Sequence, residues 1–313
     1  MKTYKTIMND INGDSVTRTF DVNDNDIVIT TVKSEKEAEN HDKFAKNKKR
    51  LDAEMQEFIE NNEGAFVHLI FKYGQPIFEK LEEKVPGNKA NLHEIRFIIL
   101  ATYKPYKGCL SYSNGQEIKK EDLGKIWDVK NRNSRDETYN ILKDCGYIYE
   151  TEEGYLMINE DMVIKGVIKD YYNELKEQDG SYTYTRLFID NVRNMYNGTA
   201  SKQRKQLANL FKILPYINFK YNVFCSNPTE TDEAKLELLT WKDLARICGY
   251  DKTQVARFKD SLWNLEIFDH CAIGEFHCKA GMAICVNPKV YYGGDDVNDV
   301  INLYAMFKMC EKK

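Results

Sequence analysis

The chain has 313 residues and is poor in the residues that mark specialised classes. Glycine occurs 17 times and proline 6 times, too few for a collagen, a proline-rich spacer or a low-complexity scaffold. No apolar run approaches the roughly 20 residues needed to span a bilayer, and residues 1–20 are polar, without the apolar stretch of a secretory signal. None of the eight cysteines stands in a C-x-x-C pair. A chain this long and this well supplied with apolar residues needs no disulfide staples, so the cysteines read as reduced thiols, several on core-facing positions. These absences predict a soluble, cytoplasmic protein.

Catalytic motifs are missing too. There is no G-x-x-x-x-G-K-[ST] phosphate loop, which disfavours an ATP-driven machine, and no H-E-x-x-H, G-x-S-x-G or G-x-G-x-x-G. His41, His68, His93, His270 and His277 never form the histidine-hydrophobe-histidine pair that a rolling-circle nuclease sets beside its tyrosine. His270, Cys271, His277, Cys278 and Cys285 are zinc-ligand types, but their spacing is not that of a standard knuckle. Strand alternation accounts for the three cysteines as buried side chains. No catalytic residue, metal or cofactor is expected, and the protein is not read as an enzyme.

What the chain does have is core material. Hydrophobic residues make up 42% and charged residues 30%, a balance that supports a packed core and argues against wholesale disorder. The length suggests roughly two domains. Most of the 20 tyrosines and 15 phenylalanines fall at helix-core spacing, so they read as core rather than as platforms for single-stranded bases. Lysine and arginine number 45 against 49 acidic residues, a net charge of −4. That excludes a generally basic coat but is compatible with a local basic face on an otherwise acidic surface.

Residues 1–33 alternate in Val16-Thr-Arg-Thr-Phe20 and Ile27-Val-Ile-Thr-Thr-Val32 around Asn23-Asp-Asn-Asp26, the pattern of a small hairpin. Residues 34–61 read as a charged helix capped by Ser34, with Glu37 completing a capping box. Within it Lys43-Phe-Ala-Lys-Asn-Lys-Lys-Arg50 carries five cations in eight residues. It is either a solvated face or a phosphate-contacting arm led by Lys48, Lys49 and Arg50.

From Phe66 onward one order of elements runs twice. Apolar helices are expected over Phe66–Lys80 and Tyr184–Tyr196, then second helices over Leu92–Tyr103 and Lys202–Ile217. Strand-like Gly108–Tyr112 and Tyr221–Cys225 follow, then short helices at Lys120–Ile126 and Trp241–Ile247. A further helix comes at Ser134–Asp144 and Lys252–Asn264, and two strands close each unit. Asn159 matches Asn287 and Gly166 matches Gly294, with Gln178–Ser181 as the linker.

The stretch Leu239–Phe268 reads as a helix-turn-helix. Thr240 caps a short helix with Leu244 and Ile247 on one face. Gly249 stands where a left-handed residue ends a helix, and Asp251 caps the next one. Val255, Phe258 and Leu262 form a buried stripe, which turns Lys252, Thr253, Gln254, Ala256 and Arg257 outward. In such a unit that end enters the major groove, where Arg and Lys reach guanine or phosphate, Gln pairs with adenine and the Thr methyl meets thymine. Ala272–Ile284 has the alternation of a β-ribbon, a wing carrying Lys279. In the first copy Arg132, Asn133 and Ser134 open the corresponding helix, but Glu137 replaces Arg257 and the wing carries Glu150, Glu152 and Glu153, which phosphates repel. The second copy is therefore the expected principal reader. The first binds weakly, reads only through Arg132 and Asn133, or serves as a protein-contact surface.

On these residues, the second unit resembles the winged-helix replication initiators of plasmids and phages, most closely the type called RepL. The likeness lies in its leading helix, the Leu239–Leu265 helix-turn-helix and the N-P-x-x-x-x-G strand Asn287-Pro288 to Gly293. The first unit resembles them more faintly, with Glu160 in place of the proline. The likeness covers roughly residues 66–294 and implies binding of origin or operator DNA without catalysis. The expected fold is thus α+β: two tandem winged-helix domains, residues 63–179 and 180–297, preceded by an N-terminal hairpin and charged helix (1–62) and followed by a C-terminal helix (298–313). The expected partner is double-stranded DNA, with host replication or transcription proteins and self-association left open. The rivals are a transcriptional regulator on the same fold and an interaction protein that keeps the fold without binding DNA.

Overall fold

The computed structural model describes residues 2–9, 15–23, 26–34, 53, 66–72, 74–166, 182–267, 270–288, 291, 303, 304, 306 and 307. The chain divides into two compact units, Met1–Glu57 and Phe58–Lys313.

In the first unit, β1 (Lys2–Asn9), β2 (Ser15–Asn23) and β3 (Asp26–Ser34) form an antiparallel sheet in sequence order. The alternating β-branched and polar residues expected to make one hairpin make β2 and β3, and β1 adds to the far side of β2, with Tyr4 opposite Phe20. Ser34, expected to cap a helix, is the last residue of β3 and pairs with Val16. Apart from Ala53, the rest of the expected charged helix lies outside the described residues, as do Lys48, Lys49 and Arg50.

The second unit is mixed α and β, with small antiparallel sheets. Its elements from β4 to β6 are β4 (Phe66–Lys72), α1 (Glu79–Lys84), α2 (Asn91–Ala101), α3 (Leu123–Ile126), α4 (Arg132–Asp144), β5 (Ile148–Glu150) and β6 (Leu156–Ile158). After β7 (Val163–Ile164) come β8 (Tyr182–Phe188), α5 (Ile189–Gly198), α6 (Arg204–Lys212), α7 (Trp241–Ile247) and α8 (Val255–Trp263). Short strands β9 (Glu266–Ile267) and β10 (His270–Cys271) pair together, and β11 (Ile273–Cys278) pairs with β12 (Gly281–Val286).

Two expected helices are in part strands. Phe66–Lys72 and Tyr182–Phe188 pair antiparallel with each other, and β7 flanks β4 on its other edge. β4 is buried on both faces, and a short continuous apolar run does not by itself separate such a strand from a buried helix. β8 shows the period of a strand: Thr183, Thr185 and Leu187 are buried while Tyr182, Tyr184 and Phe188 are half-exposed. Gly108–Tyr112 and Tyr221–Cys225, expected as strand-like, contribute only isolated bridges, among them Ser111 to Glu117 and Val223 to Cys285.

At the centre lies α2, with every residue but Leu92 buried; its second half, Phe97–Ala101, is wholly apolar, and its first half buries Asn91, His93, Glu94 and Arg96. It packs against α6, and polar bonds tie the pair. Asn91 donates to Asn209 Oδ1 at 2.9 Å, and Asn209 in turn donates to the Tyr250 hydroxyl at 3.0 Å and Ser261 Oγ at 3.3 Å. Buried Lys212 lies 3.1 Å from both Glu94 and Glu82. One ammonium cannot neutralise two carboxylates, and burial of Glu94 pushes its carboxyl up to about 8. Buried Arg204 reaches Asp128 at 3.0 Å, and the Tyr196 hydroxyl donates to the Trp127 carbonyl at 2.8 Å. Of the expected C-terminal helix, residues 303, 304, 306 and 307 are described and helical, with Phe307 edge-on to Phe276 of β11.

The matched asparagines have one structural job. Asn159 donates from its backbone N–H to the Tyr147 carbonyl and from its side chain to that of Gly146; Asn287 does the same to Ala272 and Cys271. Each locks the chain leaving a hairpin onto the residues entering it.

Candidate nucleic-acid interface

The candidate surface is built around α7 and α8. Thr240 caps α7 and Asp243 returns the bond, accepting from the Thr240 N–H at 3.0 Å. Leu244 is fully buried, and Ile247 packs half-buried on the core. Gly249 adopts the left-handed φ of +74° expected of it. A Cβ there would also stand 3.3 Å from the Gly87 Cα, so the turn needs glycine twice over.

Asp251 caps the second helix as expected, accepting from the Thr253 N–H and hydroxyl, both at 2.9 Å. The Thr253 N–H bond, above all, holds its carboxyl below the usual carboxylate range. Lys252–Gln254 form a 3₁₀ turn that runs into α8. Phe258 and Leu262 are fully buried, and Val255 is half-buried. Lys252, Thr253, Ala256 and Arg257 are exposed. Gln254 is half-buried, and its Oε1 accepts from the Asp251 N–H at 3.3 Å. Thr253 and Gln254 are thus engaged with Asp251, while Lys252 and Arg257 have no ion pair among the described residues.

Two structures flank α8. On one side Lys259 pairs with Glu275 of β11 at 3.2 Å and lies over the rings of Trp241 and Trp263. That clamps the helix to the β11–β12 ribbon, which forms where Ala272–Ile284 was expected to supply one. Lys279 at the ribbon's tip is exposed but lies 3.4 Å from Glu233. On the other side an open groove of about 780 Å³ runs between α8 and the chain around residues 198–207, with Arg257, Asp260 and Asn264 facing Thr199, Gln203 and Gln206. Sequence reasoning passed over this wall, although Ser201-Lys-Gln-Arg-Lys-Gln206 sets three cations in six residues.

The corresponding surface on α4 is arranged similarly and charged otherwise. Asp128 holds a positive φ of +50° between α3 and α4. Asn131 caps α4, accepting from the Asn133 and Ser134 N–H groups at 2.9 and 3.3 Å. Arg132 and Asn133 are exposed. Ser134 is half-buried: buried Arg96 of α2 donates to its carbonyl at 2.9 Å and to its hydroxyl at 3.2 Å. Arg96 in turn lies over Trp127, whose indole donates to the Arg96 carbonyl at 2.8 Å. Asp136 accepts from Arg135 at 2.8 Å and lies 3.5 Å from Arg132 and 3.8 Å from Lys120. The Arg135 hydrogen bond, then the nearby cations, hold its carboxyl low. Glu137 is exposed beside it.

Cys285 is buried and Cys271 and Cys278 are half-buried, all as free thiols. Among the described residues, no group of three or more His, Cys, Asp and Glu side chains is placed to hold a metal ion, and no helix is long and apolar enough to cross a membrane. Comparisons with protein-family models, with curated proteins and with solved structures gave no match.

Proposed function

We propose that this chain binds duplex DNA sequence-specifically through two tandem winged helices, as a plasmid- or phage-type replication initiator without catalytic activity of its own. One observation carries the reading. A capped short helix, a left-handed glycine and a second helix are followed by an antiparallel ribbon, and the second helix opens on the exposed, unpaired cations Lys252 and Arg257. In a winged helix that end enters the major groove and the ribbon lies beside it. The antiparallel pairing of β4 with β8 and the packing of α2 on α6 also bring like elements of the two proposed copies, residues 63–179 and 180–297, together. That arrangement supports a duplicated unit. The choice of replication rests on the RepL-like resemblance of residues 184–294, and the proposed cytoplasmic location rests on the sequence's lack of a long apolar run and of a secretory signal.

The second reading, an interaction protein that keeps the fold, is favoured by the first proposed copy, residues 63–179. Its reading helix spends Arg132 on Asp136 and carries exposed Glu137. A transcriptional regulator on the same fold would protect a promoter instead of a repeat-bearing origin.

A gel-shift titration with random and genomic duplexes separates these readings. DNA binding predicts affinity that falls steeply with salt, and Arg257→Ala should weaken a selected site by about 1–3 kcal/mol. No salt-dependent shift in either pool would favour the interaction protein, and an unchanged Arg257→Ala variant would reject α8 as the reader.

A further inference from the structure

We infer that the groove between α8 and residues 198–207 seats a DNA backbone strand, with Lys202 and Lys205 as phosphate ligands; the inference rests on the DNA-binding reading above. The argument starts from the helix period. At about 100° per residue, Phe258 and Leu262 of α8 point to the core, Thr253 and Ala256 point away from it, and Lys259 and Arg257 fall on opposite flanks. The Lys259 flank is closed by its bond to Glu275 of the ribbon. The Arg257 flank stays open and forms one wall of the groove.

The opposite wall is made by Gly198, Thr199, Ala200, Gln203, Gln206 and Leu207. Gln203 and Gln206 line the groove, and Arg204 turns inward to Asp128 and the Tyr196 ring. Lys202 and Lys205 are outside the lining itself but stand exposed beside Gln203 and Gln206 at the groove's rim, without an ion pair among the described residues. The lining sets Arg257 and the amides of Gln203, Gln206 and Asn264, which suit a phosphodiester, among apolar Met195, Leu207 and Leu265, with Asp260 as its one carboxylate. The Thr199 and Ser261 hydroxyls donate instead to the Met195 and Phe258 carbonyls. A helix in the major groove has a sugar-phosphate strand along each flank. The ribbon takes one flank of α8, and this trough is the surface available to the other. Phosphate binding of this kind sets position and salt dependence but carries no sequence information.

The test is fluorescence anisotropy with the full chain, on a random-sequence duplex and on a duplex selected from a random pool, across a salt series. The double variant Lys202→Gln, Lys205→Gln should lose affinity for both duplexes by a similar factor. Its slope of log K against log salt should be shallower than wild type by about 1.8, near 0.9 for each phosphate no longer neutralised. Ala200→Glu, which adds a carboxylate to the groove wall, should weaken both as well. Because Lys202, Lys205 and Ala200 are all exposed, unchanged thermal melts should accompany these losses. A wild-type slope in the double variant, or a loss confined to the selected duplex, overturns the phosphate assignment while leaving α8 as the reader. Failure of the wild-type chain to bind either duplex at low salt overturns the DNA reading and this inference with it.

Discussion

At the start of α4, Asp136 gathers Arg132, Arg135 and Lys120 within 4 Å, and Glu137 stands exposed next to it. At the start of α8 the only nearby capping acid, Asp251, is taken up by Thr253, and Lys252 and Arg257 are left without ion pairs among the described residues. The two helices are otherwise built by the same means. Each is capped by an Asx side chain, follows a turn with a positive φ, and is held from beneath by buried residues. The difference shows that a shared pattern of cap, turn and buried stripe does not decide which charges a helix leaves free at its exposed end. One internal carboxylate, placed one turn along, satisfies cations that would otherwise be available to phosphate.

Separating the two halves should have the largest effect. Lys212→Met removes the partner that Glu94 and Glu82 share and should cost about 1–3 kcal/mol, because the buried Glu94 carboxyl, protonated near neutral pH, is left without its polar partner. Chemical unfolding measures it, and a loss under about 1 kcal/mol would show that the triad does not join the halves. The same site predicts a pH response. The Glu94 carboxyl lies near 8 in the folded chain against an ordinary 4.5, so the folded state binds more protons between those values. Its contribution is complete below about 4.5 and is lost as pH rises through about 8. Glu94→Gln should flatten that decline; parallel wild-type and variant profiles would refute it.

The caps give a smaller, symmetrical effect. Asn131→Ala and Asp251→Ala should each lower Tm by about 2–4 °C. A calorimetric scan in which only one of them responds would break the likeness between the two helices. The smallest effect is the most pointed. Asp136→Asn should release Arg132, which is 83% exposed, and steepen the salt dependence of DNA binding by about 0.9 if one further phosphate is engaged. An unchanged slope would mean that Asp136 is not what separates the α4 surface from the α8 surface in DNA binding.

Much of the local design was legible in the chain. Thr240, Gly249, Asp251, Phe258 and Leu262 stand where capping chemistry and helical period put them, because each acts on residues within one or two turns. The β11–β12 ribbon followed from alternation for the same reason. The leading elements did not come out as expected: Phe66–Lys72 is a continuous apolar run that fits a buried helix as well as a strand, and its pairing with Tyr182–Phe188, more than a hundred positions away, decided it, although the alternation of Tyr182–Thr185 was a local sign of a strand. Nor did the duties of Gln254 and Ser134, which read as outward polar residues but are drawn to Asp251 and Arg96.

The sequence by itself determined the caps, turns, buried stripes and absence of familiar catalytic motifs, since these depend on side-chain chemistry at short range. Only the tertiary structure decided which cations stay free. Glu233 and Asp128 reach Lys279 and Arg204 between elements far apart in the chain, whereas the Arg132–Asp136 pair, four residues apart on one helix, follows from helical spacing. Pairing between elements depends on distance in space rather than on position along the chain.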